Sequence, residues 1–396
     1  MATMKEQYDL AMETLIRPVQ CTSDDLKRYI DLHLKQWASS FRQINASSWI
    51  IFNKAILTQL PLSKTAEEPN DYVDRNEGFI YRIRELGDDE ARPAKTTPIP
   101  KEGPVRPNYR AWQPLYVEYN VGSTGCLKFV PAKADATHVN HHALEHENIG
   151  YVSKQGPKHF RVPRVVYHIE FEGKYSILTE RVGTPVLDRP IPFRFLTRLL
   201  GQIAEAVSEM ARWEAPSVQG VNGKDVQWWI FEHVTPDVFA EGKRASDCIQ
   251  EYLGDKGFTL WPCGFLNGHV GLGDVGLDQD FNLVGFNTWR ECAFVPKGYI
   301  MPFVLYSTDV FGPPVDRKVL PALTQALWRT GVASMTCKMI KGGLSDETES
   351  FSTLLSEQIA IRARYQEREK LGLPWMRSWM FPDNDPRYRP EIYDAE

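Results

Sequence analysis

A glycine-rich segment at residues 267–274 holds the side chains with the clearest chemical potential in this sequence. It carries Asn267, His269 and Asp274 among glycines at 268, 271 and 273. An imidazole titrates near neutral pH and can therefore accept or donate a proton, while the glycines leave its surroundings open to a bound molecule. A single loop histidine can equally serve structure by hydrogen bonding to the main chain. Both interpretations of His269 stay open from these residues alone.

A second pair of charged residues lies earlier in the chain. Lys128 falls in a strand-like segment at 126–130, and Glu145 falls in a helix-like segment that follows it. A lysine on a strand is usually a surface residue. The pair therefore gains meaning only from its order with the other elements.

The elements that would position these groups change from β to α character along the chain. Residues 115–121 and 126–130 alternate like strands around a turn at 122–125, and two more short strands are predicted at 162–169 and 175–180. Helices are predicted at 141–153 and, with a clear apolar face, at 193–213. Prolines concentrated between residues 88 and 114 indicate an exposed connector.

The sequence thus divides into three parts. Residues 1–110 are predicted to form a helical N-terminal extension, because residues 1–60 have helical spacing, followed by the Pro-rich connector. Residues 111–185 are predicted to form a small β-rich lobe. Residues 186–396 are predicted to form a larger, mainly helical lobe with a C-terminal helical tail at 351–370. The predicted fold class is α+β with two lobes.

This order of elements resembles the aminoglycoside phosphotransferases, a family with a two-lobed, protein-kinase-like fold, and its fungal members in particular. The resemblance covers residues 115–310. It implies that Lys128 binds nucleotide phosphates and pairs with Glu145; such a pair, if partly exposed, adds about 1 kcal/mol or less. It also implies that residues 176–184, with Glu180 and Val182, form the strand and linker that face an adenine.

The same resemblance extends to the glycine-rich segment. In the family a catalytic loop, H-G-D-x-x-x-x-N, precedes a short hairpin that ends in D-W, and residues 267–274 and 284–289 match the spacing of these motifs. The chemical positions differ: His269 replaces the base aspartate, Asp274 the metal-binding asparagine and Thr288 the second metal-binding aspartate. The turn at 119–125 also lacks the G-x-G-x-x-G pattern of a phosphate cover.

Because Mg²⁺ needs hard oxygen ligands at fixed places, the resemblance implies a kinase-like fold without its usual phosphotransfer residues. Three functions follow. The first is an enzyme of natural-product metabolism that binds a bulky apolar molecule and promotes a cofactor-independent cyclisation or rearrangement, with His269 and either Asn267 or Asp274 as catalytic groups. The second is a non-catalytic pseudokinase that binds a nucleotide at the vestigial site or a protein partner. The third is an ATP- and Mg-dependent small-molecule phosphotransferase.

Residues 142–146 also match the pattern H-x-x-E-H, in which two histidines four apart on a helix share a zinc ion. A pattern this short recurs by chance, and the kinase-like order already accounts for Glu145. No metal is therefore expected, and ATP with Mg²⁺ is expected only for the phosphotransferase.

Composition narrows the partners. The net charge of -5 over 396 residues gives no footprint for nucleic acid or an anionic membrane. No segment has the length and apolarity of a membrane span, and the N-terminus lacks a secretory core, so a cytoplasmic location is expected. The six cysteines include no C-x-x-C pair and fit reduced thiols. The expected partner is an apolar small molecule.

Overall fold

The computed structural model of the chain describes residues 37–108, 117–131, 143–185, 191–226, 244–255, 257, 259–268 and 274–300. The helix-like spacing before residue 37 and the helical tail predicted at 351–370 lie outside these ranges.

The first described element is a five-stranded antiparallel sheet with the strand order β1-β2-β3-β5-β4. Its strands are β1 (Phe41–Asn45), β2 (Ser48–Ile51), β3 (Ala55–Pro61), β4 (Tyr72–Asp74) and β5 (Phe79–Glu85). The prediction of a helical extension over 1–110 was wrong for this segment. Phe52 and Asn53 both have positive φ, 50° and 55°, as the two central residues of a type I′ turn do, and the N–H of Lys54 donates to the Ile51 carbonyl at 2.8 Å. That turn folds β2 back onto β3, where buried residues alternate with a period of two.

A second five-stranded antiparallel sheet follows, with the order β6-β7-β8-β10-β9. Its strands are β6 (Val105–Pro107), β7 (Val117–Val121), β8 (Gly125–Pro131), β9 (Arg164–Phe171) and β10 (Lys174–Glu180). Strand β6 lies inside the Pro-rich connector predicted at 88–114, so part of that connector belongs to this sheet. The sequence patterns placed the other four strands within a few residues, because each is bounded by a clear turn.

One face of the second sheet packs on the first sheet. Alternation along β8 puts Leu127 and Phe129 on this face, and both are fully buried. The shared apolar core contains residues of both sheets, among them Phe41, Trp49, Phe52, Leu57, Tyr72, Tyr81, Val117, Tyr119, Val121 and Leu178. The N-terminal segment is thus part of a β-sandwich and shares the core of the small lobe.

The other face of the second sheet lies towards α1 (Glu145–Gln155) and the larger lobe. Val130, Tyr175 and Ile177 on this face share a core with Ile149 and Val152 of α1. The amphipathic helix predicted at 193–213 is confirmed as α2 (Phe193–Met210), and its buried face joins the same core through Leu196, Leu199, Leu200, Ile203, Val207 and Met210. This core connects the two lobes.

The larger lobe, as far as the structure describes it, combines α2 and α3 (Ala245–Asp255) with two three-stranded sheets. Its strands are β11 (Thr184–Pro185), β12 (Glu214–Ala215), β13 (Cys263–Asn267), β14 (Val275–Leu277), β15 (Leu283–Phe286) and β16 (Cys292–Pro296), in the orders β11-β14-β15 and β12-β13-β16. Two short 3-10 turns, Leu62–Lys64 and Val221–Gly223, complete the described elements. The α+β class is confirmed. No helix in the described ranges is long and apolar enough to cross a membrane.

Candidate functional site

The predicted contact between Lys128 and Glu145 is present. Nζ of Lys128 lies 2.7 Å from Oε1 of Glu145, and the two side chains are 3% and 1% exposed. Burial disfavours the charged ammonium and is the largest single influence, but the nearby acidic groups, chiefly Glu145 and then Cys126 and Glu118, together outweigh it. The pKa of Lys128 therefore lies above its ordinary value. The pair joins β8 to the first turn of α1. It is buried, and not partly exposed as the sequence suggested.

The segment after β15 completes this network. Nζ of Lys128 also donates to the carbonyl oxygen of Asn287 at 3.2 Å, and the main-chain N–H of Trp289 donates to Oε1 of Glu145 at 3.0 Å. Asn148 on α1 donates to the Trp289 carbonyl at 2.8 Å. Thr288, which lies between these contacts, is 4% exposed. The segment 287–289 is therefore held by its main chain against the Lys128–Glu145 pair.

The predicted catalytic residues are found in different settings. Asn267 is fully buried at the end of β13, and its side-chain nitrogen donates to the carbonyl oxygen of Thr288 at 3.1 Å. Asp274 is half-buried, and its carbonyl oxygen accepts from the N–H of Asn287 at 2.7 Å. His269 lies outside the described residues. Asn267 and Asp274 thus approach the same segment, 287–288, from two sides.

The two linker residues predicted to face a nucleotide also differ from each other. Glu180 points away from Lys128 and pairs at the surface with Arg164 at 3.0 Å. Val182 contributes its main chain: its N–H donates to Oδ1 of Asn287 at 2.8 Å, and its carbonyl oxygen accepts from Nδ2 of Asn287 at 3.3 Å. The linker is therefore attached to the segment 287–289 by a paired side-chain amide.

Sequence reasoning missed a buried charged group beside this linker. The guanidinium of Arg181 forms an ion pair with Glu118 on β7 and donates to Oδ1 of Asn120 at 2.8 Å. Burial raises the pKa of Glu118, but the charges of Arg181 and Lys128, together with hydrogen bonds from Asn108 and Cys126, lower it by more. The pKa of Glu118 therefore lies below its ordinary value. Burial and the charge of Glu118 raise the pKa of the neighbouring Cys126 thiol to about 12, which leaves this thiol unionised and inert at neutral pH.

A signal for Glu118 was present in the sequence. Glu118 is the direct cross-strand partner of Lys128 in the β7–β8 hairpin. Since side chains on paired strands share a face with a period of two, alternation from Lys128 places Glu118 on the same face. The partner Arg181 has no such signal, because it lies 63 residues away from Glu118 in the chain.

The turn at 119–125 is not in the position of a phosphate cover. Gly125 pairs with Glu180, whereas Lys128 lies further along β8, opposite Glu118 and Ile177. The turn therefore lies at the linker end of the sheet, where Asp74 of the first sheet accepts from Oγ of Ser123 at 2.8 Å. The chain between β6 and β7 leaves the sheet at the Lys128 end, and most of it lies outside the described residues.

The H-x-x-E-H pattern does not assemble a zinc site from the residues that can be placed. Glu145 pairs with Lys128, and the ring of His146 stacks on His168 with a centroid distance of 3.7 Å and contacts the Tyr175 hydroxyl at 3.0 Å. Burial, with His168 adding to it, lowers the pKa of His146 to about 4. Among the described residues, no group of three or more histidine, cysteine, aspartate or glutamate side chains could hold a metal.

Comparisons with known proteins found similarity to solved structures only. No family model matches the chain, and no curated protein does either. Solved structures that match are aminoglycoside phosphotransferases. The GDP and kanamycin complex of APH(2'')-IIIa is 14% identical with a TM-score of 0.40, and the match covers 68% of this chain and 87% of that one. The enzyme APH(3'')-Id from Streptomyces rimosus is 15% identical with a TM-score of 0.37, covering 63% of this chain and 93% of that one.

The two-lobed, kinase-like arrangement of this chain therefore rests on its own contacts. The relevant contacts are an antiparallel sheet with a central lysine, a following helix whose glutamate meets that lysine, and a linker strand that leads to the larger lobe.

Proposed function

We propose that this chain is a kinase-like enzyme that has lost nucleotide-dependent phosphotransfer and acts on a bulky apolar small molecule of natural-product metabolism. The proposed reaction is a cofactor-independent cyclisation or rearrangement. The observation that carries this proposal is the buried Thr288 beside the Lys128–Glu145 pair. Thr288 stands where the resemblance places a metal-binding carboxylate.

Thr288 and Asp274 do not fit Mg-ATP well. Phosphotransfer depends on metal ions that bridge two phosphates and are held by hard oxygen ligands from the protein. Thr288 offers a buried hydroxyl in place of a carboxylate, so that Asp274 alone could supply a charged ligand. Lys128 keeps the contact with Glu145 that the resemblance implies, so the misfit lies at the metal ligands.

A cyclisation or rearrangement needs less from the protein. Shape and the exclusion of water fold an apolar chain towards a reactive conformation, and one titratable group can start or end the reaction by moving a proton. We assign that role to His269 in the glycine-rich segment. Asn267 is better suited to position the glycine-rich segment, because its side chain is buried and donates to the Thr288 main chain.

We expect Mg-ATP to bind this chain weakly, with a dissociation constant of about 1 mM or higher, because the two metal ligands are not both present. Isothermal titration calorimetry with Mg-ATP measures this, and an active aminoglycoside phosphotransferase serves as the positive control. Transfer of the γ-phosphate of ATP to any small molecule would refute the proposal.

We expect His269→Ala to lower the rate of the proposed reaction by roughly 100-fold, because it removes a general acid or base. The assay incubates the protein with apolar precursors and follows products of unchanged mass by chromatography and mass spectrometry, since a cyclisation or rearrangement is isomeric. The matched control is His159→Ala, whose side chain is 40% exposed and held by Glu209. Equal rates for both variants would remove His269 from the mechanism.

A pseudokinase that binds a nucleotide without metal is the second candidate, and the intact Lys128–Glu145 pair favours it. The two functions predict different results for one binding measurement. The pseudokinase requires ADP or ATP to bind in the presence of EDTA, whereas the proposed enzyme does not.

A further inference from the structure

The linker of this chain has its hydrogen-bonding edge occupied from within. Val182 presents one N–H and one C=O towards the larger lobe, and the carboxamide of Asn287 meets both, at 2.8 Å and 3.3 Å. An acceptor and a donor held side by side in one plane are also what the edge of an adenine presents. The Asn287 side chain therefore makes the two contacts that a purine would make with this linker.

The surrounding groups keep this clamp in place. Asn287 is 7% exposed, and its main chain is held on both sides, by Lys128 at its carbonyl and by Asp274 at its N–H. The linker continues into β11, which pairs with β14. A side chain at Gly276 on β14 would overlap the carbonyl oxygen of Val182, so the two backbones already lie as close as glycine allows.

The part of the second sheet next to the linker is also occupied by a side chain. Arg181, the residue before Val182, turns its guanidinium under β7 to Glu118 and Asn120, and its side chain is 11% exposed. A planar cationic group thus occupies the underside of the sheet beside the linker. Removing Arg181 would leave the buried carboxylate of Glu118 without its main counter-ion, which is costly.

We propose that Asn287 is a specificity-determining residue that excludes purines from this site by acting as an internal substitute for the nucleobase. The inference deepens the proposed function and rests on it, because it explains how a kinase-like site becomes available only to other ligands. It concerns the nucleobase contacts alone. Phosphate and metal contacts, on which the proposed function depends, are separate.

Adenosine is the probe that isolates this effect, since it carries neither phosphate nor metal. We expect Asn287→Ala to bind adenosine at least about tenfold more tightly than the wild type, because the Val182 N–H and C=O become available to the base. Two additional net hydrogen bonds raise an affinity by about tenfold or more. Calorimetry measures the affinity. Adenosine should also raise the melting temperature of the variant and leave that of the wild type unchanged.

The matched control is Asn282→Ala. Asn282 also uses its side-chain amide to join two parts of the larger lobe, through Asp278 at 3.0 Å and Gln202 at 3.4 Å, but it lies in the turn before β15. Its loss should not create adenosine binding. Asn287→Ser is made in parallel as a smaller change, and circular dichroism establishes which variants are folded.

The result that supports the inference is adenosine binding by a folded Asn287 variant and not by the wild type or by Asn282→Ala. Tight adenosine binding by the wild type, or folded Asn287 variants that bind no better than it, would overturn the inference. A measurement on the wild type alone tests the clamp if no variant folds. The Val182 amide should exchange its hydrogen slowly, and exchange at the rate of an open loop would contradict the clamp.

These outcomes separate the two proposals. ATP turnover by the wild type would refute the proposed function whatever adenosine does. Failure of the Asn287 variants to bind adenosine would refute the clamp while the loss of phosphotransfer could still hold.

Discussion

Lys128→Met should lower the free energy of unfolding by about 3–5 kcal/mol, because it removes one partner of a buried ion pair. The remaining carboxylate of Glu145 would then lie almost fully buried, 1% exposed, opposite an apolar side chain. The main-chain N–H of Trp289 would be its surviving neutral donor at 3.0 Å. Urea unfolding followed by circular dichroism or fluorescence measures the loss.

A surface pair supplies the control for this prediction. Lys224 pairs with Glu147, also on α1, but its side chain is 39% exposed, so Lys224→Met should cost about 1 kcal/mol or less. The double variant Lys128→Met/Glu145→Leu should recover part of the stability, since an apolar pair can replace a buried ion pair. Recovery should be incomplete because Trp289 loses its acceptor. A cost below about 1 kcal/mol for Lys128→Met would contradict the buried network.

The sequence predicted this pair and underestimated its burial. The order of strand and helix could be inferred from local signals: turn residues bound β8, and Glu172 and Gly173, both with positive φ, form the turn between β9 and β10. The burial could not be inferred, because it depends on segment 287–289, whose Trp289 lies 144 residues after Glu145 in the chain. A contact at that separation leaves no periodic trace in the sequence.

The main contact of the linker could not be inferred from the sequence for the same reason. Residues 176–184 were predicted to form the linker strand, and β10 and Val182 occupy those places. The side chain that meets Val182 comes from Asn287, 105 residues away. The resemblance directed attention to Thr288, the neighbouring position, since it compares residues with a family pattern. Asn287 stands outside that pattern, and only its contacts reveal its role.

The prediction of a helical N-terminal extension was wrong for a different physical reason. Helical spacing in the first residues suggested that the helix continued, but β-sheets depend on partners that are distant in the chain, so their patterns are weaker locally. The first sheet is stabilised by the apolar face of the second sheet, which a lobe without this extension would expose. The strands between Phe41 and Glu85 are therefore explained by what they cover.

This arrangement makes Phe129 a residue whose loss should affect both sheets. Its ring is fully buried and lies 5.3 Å from Phe41 and 5.4 Å from Phe52 of the N-terminal segment, measured between ring centroids, and 5.9 Å from Tyr119 of β7. Truncation of a buried phenylalanine leaves a cavity and typically costs about 3–5 kcal/mol. We expect Phe129→Ala to lower the free energy of unfolding by that amount, measured by urea unfolding.

The control for Phe129→Ala is Phe195→Ala in α2. Phe195 is half-buried and stacks on Phe281 with a centroid distance of 5.0 Å. Its truncation removes one aromatic pair without opening a cavity in the core. Such a pair contributes about 1 kcal/mol in addition to the free energy from burying its surface. Because Phe129 joins the N-terminal sheet to the strand that carries Lys128, its loss should also speed hydrogen exchange in both β3 and β8. If Phe129→Ala accelerated exchange in β8 alone, the two sheets would not share one core, and the N-terminal segment would have to be regarded as a separate unit.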